Sequence, residues 1–125
     1  MKKTAKLRKI LIAEDDPFLV KIASNRLREE GFEVDTAGNG AEALEKISKN
    51  HYSVVLLDLI MPMKDGFEVL RVLRQKKDKT PVLIFSNLAQ DEDKEEVKRL
   101  GAKGYYVKSD IAIDEVVKAV KNFLK

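Results

Sequence analysis

Short apolar runs alternate with longer amphipathic stretches along this chain, and that alternation restricts the possible folds more than any other feature. Residues 10–13, 53–57 and 81–85 are short runs with few polar positions, the pattern of strands covered on both faces. Residues 32–37 alternate apolar with polar and predict another strand, and 105–107 predict a short fifth one. A helix is expected after Asp16-Pro17, where aspartate suits the N-cap and proline the first helical position. Phe18, Leu19, Ile22, Ala23 and Leu27 give it one apolar face, and Gly31 ends it. Gly38-Asn39-Gly40 predicts a turn, followed by a short helix on Ala41, Leu44 and Ile47. Phe67, Leu70 and Leu73 mark a third helix after Gly66. Residues 91–100 are charged almost all round, anchored by Val97 and Leu100, and should form the most weakly held helix. Val116, Val117, Val120, Phe123 and Leu124 supply the stripe of a last helix. Strands alternating with helices in this way predict an α/β fold with a parallel sheet covered on both faces, because right-handed crossovers leave little else.

Composition removes several classes of chemistry. The 125 residues make one domain of ordinary size. Without cysteine there is no disulfide, thiolate zinc site, iron–sulfur cluster or cysteine nucleophile. His51 is the sole histidine and reads as a loop residue, so no multi-histidine metal site can form. Charged residues make up 36% of the chain, against about 25% in an average domain. Lys and Arg total 24 against 21 Asp and Glu, a net charge of +3, and the signs are interleaved. The densest basic stretches, residues 1–9 and 71–79, read as solvated ends of elements rather than as a stripe that binds nucleic acid. No apolar run approaches the roughly 20 residues that span a bilayer. The basic start has no apolar stretch of signal-peptide length behind it, since Arg8 and Lys9 interrupt it. A cytoplasmic location without membrane contact is expected.

In open parallel sheets, ligands bind at the carboxyl ends of the strands. Glu14, Asp15 and Asp16 follow the first run, Asp58 the third, Ser86-Asn87 the fourth and Lys108 the fifth. Asp58 is set within Val-Val-Leu-Leu-Asp-Leu-Ile-Met, and burying an ionised carboxylate is costly unless it is paired or bound to a metal. Converging carboxylates repel unless a cation sits among them. An all-oxygen set without histidine or cysteine favours a hard cation, Mg²⁺ first and Mn²⁺ as a substitute. An acid cluster, a hard metal, a lysine and a hydroxyl suit the handling of a phosphoryl group, with Asp58 as nucleophile. Each residue also has a plain reading: Asp16 as a helix cap, Asp58 as a strand-end turn, Ser86-Asn87 as a loop cap, Lys108 as a solvated side chain. Taken jointly, four strand ends carrying complementary chemistry are poorly explained that way.

These residues resemble the receiver domain of bacterial two-component response regulators. The resemblance rests on Ile-Leu-Ile-Ala-Glu-Asp-Asp (10–16), Val-Leu-Leu-Asp-Leu-Ile-Met-Pro-Met-Lys-Asp-Gly (55–66), Phe-Ser-Asn (85–87) and Gly-Tyr-Tyr-Val-Lys (104–108). It implies a flavodoxin-like, doubly wound (βα)5 fold with strand order 2-1-3-4-5, in a receiver domain over residues 1–125 that includes a basic lead at 1–8. It implies that Asp58 accepts a phosphoryl group from a histidine kinase, a phosphotransfer protein or a small acyl phosphate. Asp15 and Asp58 would hold Mg²⁺ directly, Glu14 through a water, and Ile60 through its backbone carbonyl. Lys108 would pair with Asp58, Ser86 would reach the phosphoryl group after a loop movement, and Tyr105 would turn inward with it. The fourth helix, fifth strand and fifth helix would then present a changed surface to a downstream protein target. No direct contact with nucleic acid is expected, and the chain would be a monomer or a phosphorylation-dependent dimer.

The chain departs from the family pattern in three ways. Ser109 replaces the proline that usually follows the lysine in a cis bond, so the loop can be trans and Lys108 differently placed. Asn87 replaces a small residue, and is expected either to crowd access to Asp58 or to donate a hydrogen bond. Ile60 and Leu88 are both apolar where the family tunes loss of the phosphoryl group, so a long-lived acyl phosphate is expected. Met61 and Met63 read as loop packing and Tyr106 as sheet packing. Two other functions remain open. A receiver-like scaffold that signals without phosphorylation is favoured by Ser109 and Asn87 and opposed by Asp15, Asp58, Ser86 and Lys108 together. A Mg²⁺-dependent phosphohydrolase would need an acid two residues after the nucleophile, where Ile60 stands.

Overall fold

A computed structural model describes residues 8–125. The basic lead expected at residues 1–8 lies, apart from Arg8, outside the described residues. Five strands, β1 (Lys9–Ala13), β2 (Glu33–Ala37), β3 (Val54–Leu57), β4 (Val82–Ser86) and β5 (Gly104–Val107), alternate with α1 (Pro17–Glu29), α2 (Gly40–Lys49), α3 (Gly66–Gln75), α4 (Asp91–Arg99) and α5 (Ile113–Phe123). All pairings are parallel, in the order β2-β1-β3-β4-β5. This is the flavodoxin-like, doubly wound arrangement.

The period of two in the strands divides the core. Leu11, Ala13, Val55, Leu57, Val82 and Ile84 face α2, α3 and α4, where Ala43, Ile47, Val69, Leu70, Leu73 and Val97 meet them. Ile10, Ile12, Val54, Leu56, Leu83 and Phe85 face α1 and α5, through Ala23, Leu27, Val116, Val117 and Val120. Each fully buried aliphatic side chain contributes about 1.5–3 kcal/mol. Central β3 is therefore apolar on both faces and buried throughout. Charge pairs between Arg26 and Asp114, and between Lys121 and Glu30 at 2.7 Å, join α1 to α5 at the surface.

Local detail departs from expectation at Phe18, Met63, Asn39 and Phe123. Phe18 is 71% exposed rather than on the buried face of α1. Nine residues at about 100° each put it on the far side of the helix from Leu27. Met63 is 80% exposed, on a backbone with φ 69°, and packs against nothing in the core, whereas Met61 is buried. Asn39 is the N-cap of α2 rather than the middle of a free turn: its side chain accepts the Glu42 N–H at 2.8 Å, and the helix starts at Gly40. A 3-10 turn, Lys108–Asp110, follows β5 without a break. Phe123, at the end of α5, is only partly covered.

Candidate functional site

Strand register brings the acids together. Ala13 pairs with Leu57, so Glu14 and Asp58 leave adjacent strands side by side. Backbone hydrogen bonds hold both departures: Glu14 N–H donates to the Ala37 carbonyl at 2.9 Å and Asp58 N–H to the Ala13 carbonyl at 3.0 Å. Gly66 starts α3 so close to this point that a Cβ would lie 2.5 Å from the Asp58 carbonyl oxygen, which leaves room for glycine alone. Asp65 caps α3 by accepting the Glu68 N–H at 2.9 Å, and Asp16 caps α1 by accepting the Phe18 N–H at 3.0 Å.

One carboxylate oxygen from each of Glu14, Asp15 and Asp58 lies within 4.8 Å of the others. Glu14 and Asp58 are buried and Asp15 is exposed, so the cluster opens to solvent on the Asp15 side. Lys108 enters from β5 at the far side. Its Nζ is 3.0 Å from Asp58 Oδ2 and 2.6 Å from Glu14 Oε1, and 5.9 Å from the centre of the Phe85 ring. The Glu14 contact is close but poorly aligned, and Oε1 is left without a hydrogen bond of good geometry. Glu14 Oε2 accepts the Asp16 N–H at 3.0 Å.

Electrostatics follow this packing. Burial pushes the Glu14 pKa up, opposed by Lys108 and reinforced by the Asp58 charge. For Lys108 burial acts downward, but Glu14 and Asp58 together outweigh it and its pKa is raised. The ammonium is thus held in its charged form between two carboxylates. Three carboxylates converging in an all-oxygen set, two of them buried and one open to solvent, form a donor group that fits a hard divalent cation. Asp15, Asp58 and Glu14 are the residues that could hold it.

Ser86 is the last residue of β4 and fully buried. Its Oγ accepts the Leu88 N–H at 3.3 Å, while the Tyr105 hydroxyl donates to the Leu88 carbonyl. Leu88 thus links Ser86 to Tyr105 through its backbone. Its side chain packs against the core cluster beneath α4. Lys94 Nζ lies 5.7 Å from the Tyr105 ring centre, and burial raises the Tyr105 pKa, helped by the charges of Asp93 and Asp58. Ile60 is 55% exposed beside the cluster, with its N–H donating to Asp58 Oδ1 at 3.2 Å.

Asn87 corrects its expectation. Its Oδ1 accepts the Ser109 N–H at 3.0 Å, a bond accepted where a donated one was expected. No peptide bond among the described residues is cis, Lys108–Ser109 included. The fold therefore unites Glu14, Asp15, Asp58 and Lys108, and sets Ser86, Leu88 and Tyr105 in one chain of contacts beside them. Sequence reasoning missed the Glu14–Lys108 pair and the Asn87–Ser109 bond. The first needed the three registers that lead from β1 through β3 and β4 to β5, and the second had a signal only in two unusual residues, each following a site residue.

The model of the response regulator receiver domain family matches residues 10–121. The chain belongs to that family. It is 39% identical over 100 residues to the cell cycle response regulator CtrA of Brucella ovis, covering 80% of this chain and 43% of that protein. This receiver domain thus spans less than half the length of the curated relatives it matches. Its fold superimposes on the receiver domain of the Francisella response regulator 1452 with a TM-score of 0.86 and 36% identity, over 94% of this chain and 95% of the other. Response regulator TrrA from Thermotoga maritima, solved in complex with Mg²⁺-BeF, matches with a TM-score of 0.80 and 34% identity, over 94% and 100% of the two chains. No helix among the described residues is long and apolar enough to cross a membrane.

Proposed function

We propose that this receiver domain is a phosphorylation-driven switch with Asp58 as phosphoacceptor. The observation that carries the reading is the convergence of Glu14, Asp15 and Asp58 within 4.8 Å, with Lys108 3.0 Å from Asp58. Asp58 Oδ attacks the phosphorus of a kinase phosphohistidine, a phosphotransfer protein or a small acyl phosphate. The P–N or P–O bond breaks and the leaving group departs with the electron pair, an imidazole that takes up a proton or a carboxylate that remains an anion. Asp15 and Asp58 would hold Mg²⁺ through their side chains, Glu14 through a water and Ile60 through its carbonyl; the Mn²⁺ ion would serve in its place. The bound ion would supply positive charge to the phosphoryl oxygens. The relative TrrA, solved in complex with Mg²⁺-BeF, supports a divalent ion at the acidic cluster.

Lys108 neutralises charge on the product, as its raised pKa keeps it cationic. Ser86 reaches the phosphoryl group by releasing the Leu88 N–H, and because Leu88 also holds Tyr105, the two side chains move together. α4, β5 and α5 would then meet a downstream protein. With Leu88 turned to the core, shielding of the acyl phosphate falls to Ile60, and a polar residue there should shorten its lifetime. Lys108 lies 3.0 Å from Asp58 with serine at 109, which counts against a scaffold that signals without phosphorylation.

Intact mass after incubation with acetyl phosphate and Mg²⁺ tests the proposal. One added phosphoryl group is expected, absent in Asp58→Asn and in the presence of EDTA. No adduct, together with no binding of beryllofluoride and Mg²⁺, would leave the scaffold reading.

A further inference from the structure

Two of the chain's departures from the receiver pattern stand next to site residues: Asn87 after Ser86, and Ser109 after Lys108. In the structure these two departures touch. Ser109 N–H donates to Asn87 Oδ1 at 3.0 Å, and both residues are exposed. Among the described residues, no other hydrogen bond joins the loop 87–90 to the turn Lys108–Asp110.

We propose that Asn87 is a positioning residue for Lys108, holding the turn that aims its ammonium at Asp58; this rests on the phosphoacceptor reading above. A lysine side chain is flexible, so where its Nζ points depends on where the backbone presents it. Here the backbone is a three-residue 3-10 turn with no side-chain cap at its start. A proline at 109 would fix φ but have no N–H to give, and a small apolar residue at 87 would have no oxygen to receive one. The two unusual residues are therefore complementary, and either alone would be idle. The bond also ties the Lys108 turn to the loop that begins at Ser86, so Lys108 and Ser86, which would approach the same phosphoryl group from two strands, share one anchor.

The partner atom on Ser109 is its backbone N–H, which gives a strong control. Ser109→Ala keeps the donor and Asn87→Ala removes the acceptor. Hydrogen exchange of the 109 amide and the Lys108 Nζ resonance are followed by NMR in the protein without phosphodonor. Phosphoryl uptake from acetyl phosphate is then timed at saturating Mg²⁺. Asn87→Ala should speed exchange of the 109 amide about tenfold, shift the Lys108 Nζ resonance, and slow uptake about fivefold. Thermal midpoint and Mg²⁺ affinity should not change. Asn87→Asp, which keeps an acceptor oxygen, should restore amide protection, and Ser109→Ala should match the wild type. In a Lys108→Ala background, Asn87→Ala should slow uptake no further.

The proposal is overturned if Ser109→Ala is as damaging as Asn87→Ala, if the effect of Asn87→Ala persists in full without Lys108, or if the amide and Nζ signals do not respond. If the wild type takes up no phosphoryl group, the phosphoacceptor reading fails alone. The two NMR signals then decide the positioning role: a response to Asn87→Ala upholds it and silence refutes it.

Discussion

The helices α1, α2 and α3 and the helix α4 sit on one sheet but are fastened to it very differently. The first three each begin with a side-chain cap, from Asp16, Asn39 and Asp65. α3 buries Gly66, Val69, Leu70 and Leu73, whereas α4 buries Val97 alone and has no side-chain cap on Gln90. β5 beside it is half-buried along its whole length, while β3 is wholly buried. The site straddles this divide. Glu14, Asp15 and Asp58 belong to the firm part, and Ser86, Leu88, Lys108 and Tyr105 border the loose one. A charge placed on Asp58 would thus meet fixed groups on one side and groups able to rearrange at low cost on the other.

The sharpest way to break that contrast is to truncate the core of each helix. Leu70→Ala should lower global stability by about 3 kcal/mol in urea unfolding. Val97→Ala should lose roughly 1.5 kcal/mol, seen mainly as faster hydrogen exchange within α4. Equal global losses would show that α4 belongs to the same cooperative unit.

Tyrosines offer a second comparison. Tyr52 is fully buried in the firm part, its hydroxyl donating to Asp35 Oδ2 at 2.6 Å. Burial first, and the Asp35 carboxylate second, push its pKa well above the usual 10.0. The neutral phenol is the form the fold prefers. Its stabilisation is therefore complete below pH 10 and lost as pH rises from there toward the folded-state value. Tyr52→Phe should cost about 2 kcal/mol at neutral pH and flatten the alkaline loss of stability. Tyr105→Phe should leave global stability nearly unchanged, because its hydroxyl anchors only the loop at Leu88.

The smallest effect concerns the missing cap. Gln90→Asp should stabilise α4 by about 1 kcal/mol, slowing amide exchange within Asp91–Arg99 and leaving α3 as it was. If α4 is a movable element, the same change should also weaken its response to phosphorylation. An unchanged response would place the switch elsewhere.

The fold was legible because burial on both sheet faces writes itself as unbroken apolar runs at β1, β3 and β4. The weak hold on α4 was legible for the converse reason, since Val97 and Leu100 are its only apolar anchors. Asp58 stood out as a charge in an apolar run, and the acid cluster followed from the fold class. Other features depended on three-dimensional detail. Phe18 is the exception among them: nine residues separate it from Leu27, so helical spacing alone already sets it half a turn out of the stripe. The Lys108 contact with Glu14 spans strands that are not neighbours, which composition and spacing do not encode. The Asn87–Ser109 bond uses a backbone donor, so the identity of Ser109 gave no hint beyond its not being proline.

The order in which the site's parts occur along the chain has a consequence for synthesis. Lys108 lies 50 residues beyond Asp58. A chain growing from its N-terminus therefore exposes the three acids well before it acquires their internal counter-ion. Until β5 docks, these carboxylates would repel one another, and a divalent cation would be the one charge able to quiet them. Maturation of the nascent chain should accordingly be more sensitive to free Mg²⁺ than the stability of the finished fold.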